Sequence, residues 1–151
     1  MSPTNILRKA STKPVGRGAR RGGARTRREI LIRAGAVALR ARLLDTPTAD
    51  LVWQTLPIYS TAETRGALVH FETHVDTGLE SEAVWTVKPG ELAFWVEEDR
   101  IVIGYGTTPM SRPGEIRLPS RCNVWAIAVD DVAALAGVRP GESVAVLEAD
   151  S

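Results

Sequence analysis

Few residues in this chain could do chemistry, and they are scattered. His70, Glu72 and His74 fall at every second position of ALVHFETHV. On a strand they would share one face, with nearest same-face side chains roughly 6–7 Å apart. Such a trio could share a metal with a fourth ligand. No second group of His, Cys or Asp accompanies it, and the polar outer face of a half-exposed strand explains the same pattern. No metal or other cofactor is therefore expected. Arg65 and Arg121 are cations with Phe71, Trp95, Tyr105, Met110 and Trp125 as candidate apolar walls. A guanidinium beside an apolar pocket can hydrogen-bond a ligand's carbonyl while the walls hold its apolar part.

Each of these residues also has a plainer reading. Arg65 precedes Gly66 and could be a solvated turn cation; Phe71 alternates with Val69 and Thr73 and could be core. Trp95 and Trp125 are large apolar bodies whose N–H usually finds a carbonyl. Tyr105 stands between Gly104 and Gly106, and two glycines thin the strand so that a ligand or another backbone can approach. Met110, after Pro109, is either an adaptable lid or a filler of one end of the fold. Asn123 opens an apolar strand, so its amide must be satisfied by pinning a loop or by meeting a ligand. Ser111 and Ser120 have no base beside them in sequence, which leaves a hydrolytic triad without support. P-loop, GxGxxG and zinc motifs are absent.

The elements that must position these residues read as strands. EILIRAG and AVALRARLL alternate with period two around Gly35, which predicts a hairpin. TPTADLVWQTLP predicts a short helix with Thr46 as N-cap, Pro47 at the first helical position and Pro57 as the stop; Leu51, Val52 and Leu56 would face the sheet. ALVHFETHV, ELAFWV, RIVIGYG, CNVWAIAV and ESVAVLEA predict further strands, and DVAALAGV a second short helix. DTGLESEA reads as an acidic loop, and Thr107 to Arg121 as a long connection. About eight short strands, tight turns and two small helices favour a mainly β protein, a closed or nearly closed antiparallel barrel whose closure removes exposed edges. A helix-wound parallel sheet would need long helices between strands, and the middle of the chain has none.

The 151 residues carry a net charge of +1 that conceals an asymmetry: residues 1–28 hold nine Lys or Arg and no acid, so the remaining ten basic residues face all eighteen acidic ones. STKPVGRGARRGGARTRR cannot bury enough apolar surface to offset its ordering entropy, which predicts a disordered basic tail over 1–28 and one domain over 29–151. The tail could follow a phosphate backbone, making nucleic acid an alternative partner, or could be a solvated extension. It lacks the apolar core of a secretory signal, and no run approaches the roughly 18 apolar residues of a membrane span, so no membrane association is expected. Cys122 is the single cysteine, which excludes an intrachain disulfide and fits a reducing cytoplasm.

KPGELAFWVEEDRIVIGYGTTPMS, then RLPSRCNVWAIAV and RPGESVAV, resemble the cyclophilin-like family of small prokaryotic proteins. Gly90, Phe94, Trp95, Gly106, Thr108, Pro109, Met110, Ser111, Asn123 and Val124 stand at the positions of the family's motifs. The resemblance covers residues 29–151 and implies a cyclophilin-fold barrel. One departure is Thr64-Arg65-Gly66, where the family often has Thr-Trp-Gly, so an aromatic has become a cation. The resemblance does not by itself carry a function. Cyclophilins isomerise Xaa-Pro bonds, whose amide barrier of about 18–20 kcal/mol falls without any covalent step. The expectation is thus a small cytoplasmic protein that binds a small molecule or proline-containing peptide in a cleft at the barrel rim. Arg65, Phe71, Tyr105, Met110, Arg121 and Asn123 would line it, and weak peptidyl-prolyl isomerase activity is the enzymatic expectation. The alternative is a nucleic-acid-associated protein that uses its tail, with the barrel as adaptor.

Overall fold

Period-two alternation becomes ten antiparallel strands in a computed structural model that describes residues 25–106 and 115–149. Most of the basic tail, and Met110 with Pro109 and Ser111, lie outside the described residues. Strands β1 (Arg25–Ala34) and β2 (Val37–Leu44) form the expected hairpin, pairing Ala34 with Val37 and Ile30 with Ala41. Gly35 takes φ 58 at its turn, a conformation open to glycine at little cost. β1 begins at Arg25, inside the stretch expected to be tail, where it pairs with the end of β2, and helix α1 (Pro47–Thr55) offers Arg28 partners. Arg28 pairs with Asp50 at 3.0 Å and its guanidinium lies 5.7 Å from the centre of the Trp53 ring. α1 is capped as its sequence predicts, with the Ala49 N–H donating to Thr46 Oγ1 at 3.1 Å.

The chain continues through β3 (Ile58–Thr61), β4 (Glu63–Arg65), β5 (Leu68–Glu72), β6 (Val84–Val87), β7 (Glu91–Trp95), β8 (Arg100–Gly104), β9 (Ile116–Ala128) and β10 (Ser143–Glu148). The lateral order is β3-β10-β1-β2-β9-β7-β8-β5-β4, with β6 attached to β9. Expected and observed strands differ in the short ones: β3, β4 and β6 have three or four residues each, too few for alternation to reveal them. The second helix is a 3-10 turn over Val132–Gly137, whose Ala133 N–H donates to the Asp131 carboxylate at 2.9 Å.

The sheet curls until its two edge strands follow one another in the chain, separated by Ala62 alone. Ala62 is fully buried and ties into the β10 turn, donating to Glu142 O and accepting from Gly141 N, both at 2.8 Å. No ladder hydrogen bonds join β3 to β4 among the described residues, so the sheet is not closed by hydrogen bonding. Curling puts one face of the strands on a single inner core that includes Ile30, Leu43, Phe71, Phe94, Ile103 and Trp125.

A second core lies on the opposite face. The long strand β9 starts at Ile116, so residues 116–121, expected as part of a long connection, are strand and pair with β6, Val87 opposite Ile116 and Val84 opposite Cys122. Ile116, Leu118 and Val87 then cover the outward residues Val102, Ala93 and Leu68. β8 is thus buried on both faces, which is why RIVIG reads as an unbroken apolar run after its arginine.

Candidate functional site

The register of β4, β5, β8 and β7 decides which side chains meet. Val69 and Phe71 on β5, Ile101 and Ile103 on β8, and Leu92 and Phe94 on β7 enter the inner core. Their neighbours in the chain point outward. One outward row runs from Glu63 through His70 to Val102; the next sets Glu72 opposite Arg100 and Arg100 opposite Trp95. Glu63, His70, Arg100 and Trp95 thereby become neighbours from four strands. The Arg100 Nη1 donates to Glu63 Oε2 at 3.0 Å and to His70 Nδ1 at 3.4 Å. The His70 ring meets Trp95 edge to face with centroids 6.2 Å apart.

This contact specifies the imidazole. A guanidinium has donors only, so the ring nitrogen facing it is an acceptor and the proton of the neutral ring sits on Nε2. Burial is the largest cause holding the His70 pKa below its ordinary value, followed by Arg100, with Glu63 opposing and Arg65 adding to the shift. Trp95 packs against the outer core, and its Nε1 is closed off from solvent without a hydrogen-bond partner. Arg65, two residues after Glu63, is exposed on the same outward face, opposite Leu68.

The described residues expected to form one cleft fall into three places: Phe71 in the inner core, Arg65 with Tyr105 at the β4–β5 turn, and Arg121 with Asn123 on β9. Phe71 is fully buried in the inner core, as its plainer reading had it. Tyr105 hydrogen-bonds the β4–β5 turn, its hydroxyl donating to Gly66 O at 3.2 Å and its N–H to Ala67 O at 2.9 Å. It is therefore beside Arg65. Asn123 lies in the middle of β9 and not at the start of a strand; it is level with Phe94 and Ile101, four residues short of Tyr105 along β8. At about 3.3 Å per residue that separates the two by about 13 Å.

Asn123 and Arg121 hold the acidic loop instead. The Asn123 Oδ1 accepts from Glu80 N at 2.9 Å, while its Nδ2 donates to Gly78 O and to Thr48 Oγ1, each at 2.9 Å. Arg121 donates to Ala83 O at 3.3 Å. The Glu80 carboxylate completes the clamp by accepting from Thr48 N at 3.0 Å in the first turn of α1, where a negative charge is favoured. Every polar group of the Asn123 amide is used inside the protein. Met110 lies outside the described residues. His74 is beyond the end of β5, and no group of three His, Cys, Asp or Glu that could hold a metal occurs among the described residues.

Sequence reasoning passed over Arg100 and Glu63 and assigned His70 to a solvated strand face. Alternation placed His70 outward correctly. What brings Arg100 and Trp95 beside it is the tight β7–β8 turn, Val96 to Asp99, with Asp99 at φ 54. The turn's geometry sets the register of Trp95 against Arg100, and alternation in either strand does not contain it.

A curled antiparallel sheet carries a second core on one outer face, with a cation and two rings gathered beside that core, and so defines a small, mainly β protein. The family profile described as cyclophilin-like matches residues 28–147, and the chain belongs to this cyclophilin-like family. Among solved structures, that of a hypothetical protein from Archaeoglobus fulgidus is similar at 32% identity and a TM-score of 0.71, covering 88% of this chain and 100% of the other. No curated protein matches.

Proposed function

We propose that this protein binds a small molecule or a proline-containing peptide segment on the outward face of β4, β5, β8 and β7. One observation supports this reading: the Arg100 guanidinium stands directly opposite Trp95 and against His70, at the border of the outer apolar core. Only the Nη1 of Arg100 is hydrogen-bonded among the described residues. Its remaining donors are free for a ligand carbonyl while Trp95 offers a wall. A guanidinium beside an aromatic surface is also what weak peptidyl-prolyl isomerisation requires, since twisting the amide transfers hydrogen-bonding demand between its carbonyl and its nitrogen. The cytoplasm suits this reading, because the single thiol has no bridging partner.

The test uses a short Xaa-Pro peptide and NMR. Addition of peptide should move the Trp95 indole and His70 ring resonances, and exchange between cis and trans peptide should quicken over the peptide alone. Arg100→Gln should remove the faster exchange, whereas Arg121→Ala should keep it. Unmoved Trp95 and His70 signals at millimolar peptide would overturn the binding site; moved signals with unaltered exchange would remove only the isomerase.

A further inference from the structure

Unused hydrogen-bonding capacity on the outward patch consists mostly of donors. Arg100 spends one nitrogen on Glu63 and His70 and has no other partner among the described residues. Arg65 is exposed on the same face and forms no ion pair among the described residues. The neutral His70 ring presents Nε2–H. The acids are Glu63, which is engaged, and Glu72, which lies opposite Arg100 in register without an ion pair among the described residues.

Resting on the binding site proposed above, we infer that the patch takes a ligand bearing a carboxylate, which Arg100 receives while His70 gains a proton. The groups facing His70 give the sign. Glu63 and Arg65 come from β4, Glu72 from its own strand, Arg100 from β8 and the uncharged Trp95 from β7; beyond Val102 the surroundings are apolar. Partial burial first, then Arg100 and Arg65, hold the His70 pKa below its ordinary value in the free protein and so disfavour the charged ring. The added proton takes Nδ1, so the imidazolium gives up its contact with Arg100 Nη1. A carboxylate that accepts from both Arg100 and the new Nδ1–H supplies the negative charge that favours the imidazolium, and ligand and proton thus support each other. Affinity should rise as pH falls. An imidazole pKa raised by about one corresponds to binding about tenfold tighter below that pKa than above it.

N-acetylproline and its uncharged amide separate the carboxylate from the ring it is attached to. The His70 ring-proton signal is followed against pH in the full chain, with each compound and with neither. The carboxylate should raise the His70 midpoint and bind about tenfold tighter at acid pH, whereas the amide should leave the midpoint in place. Glu63→Gln, which releases Arg100, should strengthen carboxylate binding; Arg100→Gln should abolish the difference between acid and amide. Equal binding of both compounds, or a His70 midpoint indifferent to the carboxylate, overturns the inference. The Xaa-Pro peptide shifts at Trp95 then tell whether the binding site itself survives.

Discussion

Asn123 shows how much one buried amide can organise. It is 1% exposed, and its three hydrogen bonds reach the acidic loop twice and α1 once. Removing the amide would take these partners from Glu80 N, Gly78 O and Thr48 Oγ1; the bond to Thr48 is buried and the other two are part-buried, and a buried group left without its partner costs on the order of 1–3 kcal/mol. Asn123→Ala is therefore expected to destabilise the protein by about 3 kcal/mol in urea unfolding. Amide exchange at Glu80 should also accelerate more than in the inner core. Unchanged exchange at Glu80 would show that the loop is held by its other contacts. Composition gives reason to expect that a polar amide beside apolar neighbours is satisfied. Whether a ligand or a loop satisfies it depends on residues far away in the chain, Thr48 and Gly78 among them.

At the scale of elements, the outer core depends on one missing side chain. Gly104 ends β8 where Ile116 of β9 crosses it, and a Cβ there would fall inside the van der Waals contact distance of the Ile116 Cγ2 and press on Leu68. Two glycines around Tyr105 suggest close approach, and the approaching group at Gly104 is Ile116 and Leu68 from the protein itself. Gly104→Ala should destabilise by about 1–3 kcal/mol through overpacking. Ile116→Ala should destabilise by about 2–5 kcal/mol by leaving a cavity. Combined, the two changes should cost less than their sum, because the alanine methyl enters the space that the isoleucine leaves. A double-mutant cycle by urea titration measures this coupling, and strict additivity would show that β9 does not press on Gly104. The helix tells the opposite story: Thr46, Pro47 and Pro57 act within a few residues of themselves, and α1 forms where they predict.

For the molecule as a whole, Cys122 reports opening. It is fully buried in the outer core, and burial first, then the nearby Glu97, push its thiol up to about 12. The thiolate is the reactive form, so the native protein at pH 8 should resist thiol reagents. Labelling should appear together with global unfolding in urea; fast labelling under native conditions would mean that β6 and β9 open on their own. No helix among the described residues is long and apolar enough to cross a membrane.

Alternation, caps and turn residues in the sequence were enough for a mainly β chain with two short helical segments, the second of which is a 3-10 turn, for the β1–β2 hairpin, and for membership of the cyclophilin-like family. All of these rest on local periodicity or on motifs read along the chain. Tertiary structure alone decided that residues 116–121 join β6 as strand, that Ala62 connects the two edges of the sheet, and that Arg100, His70, Glu63 and Trp95 meet while Tyr105 and Asn123 do not. Alternation says that the two faces of a strand differ. It does not say which strand lies alongside or in what register, because these are set by turn geometry and by burial that distant segments satisfy together.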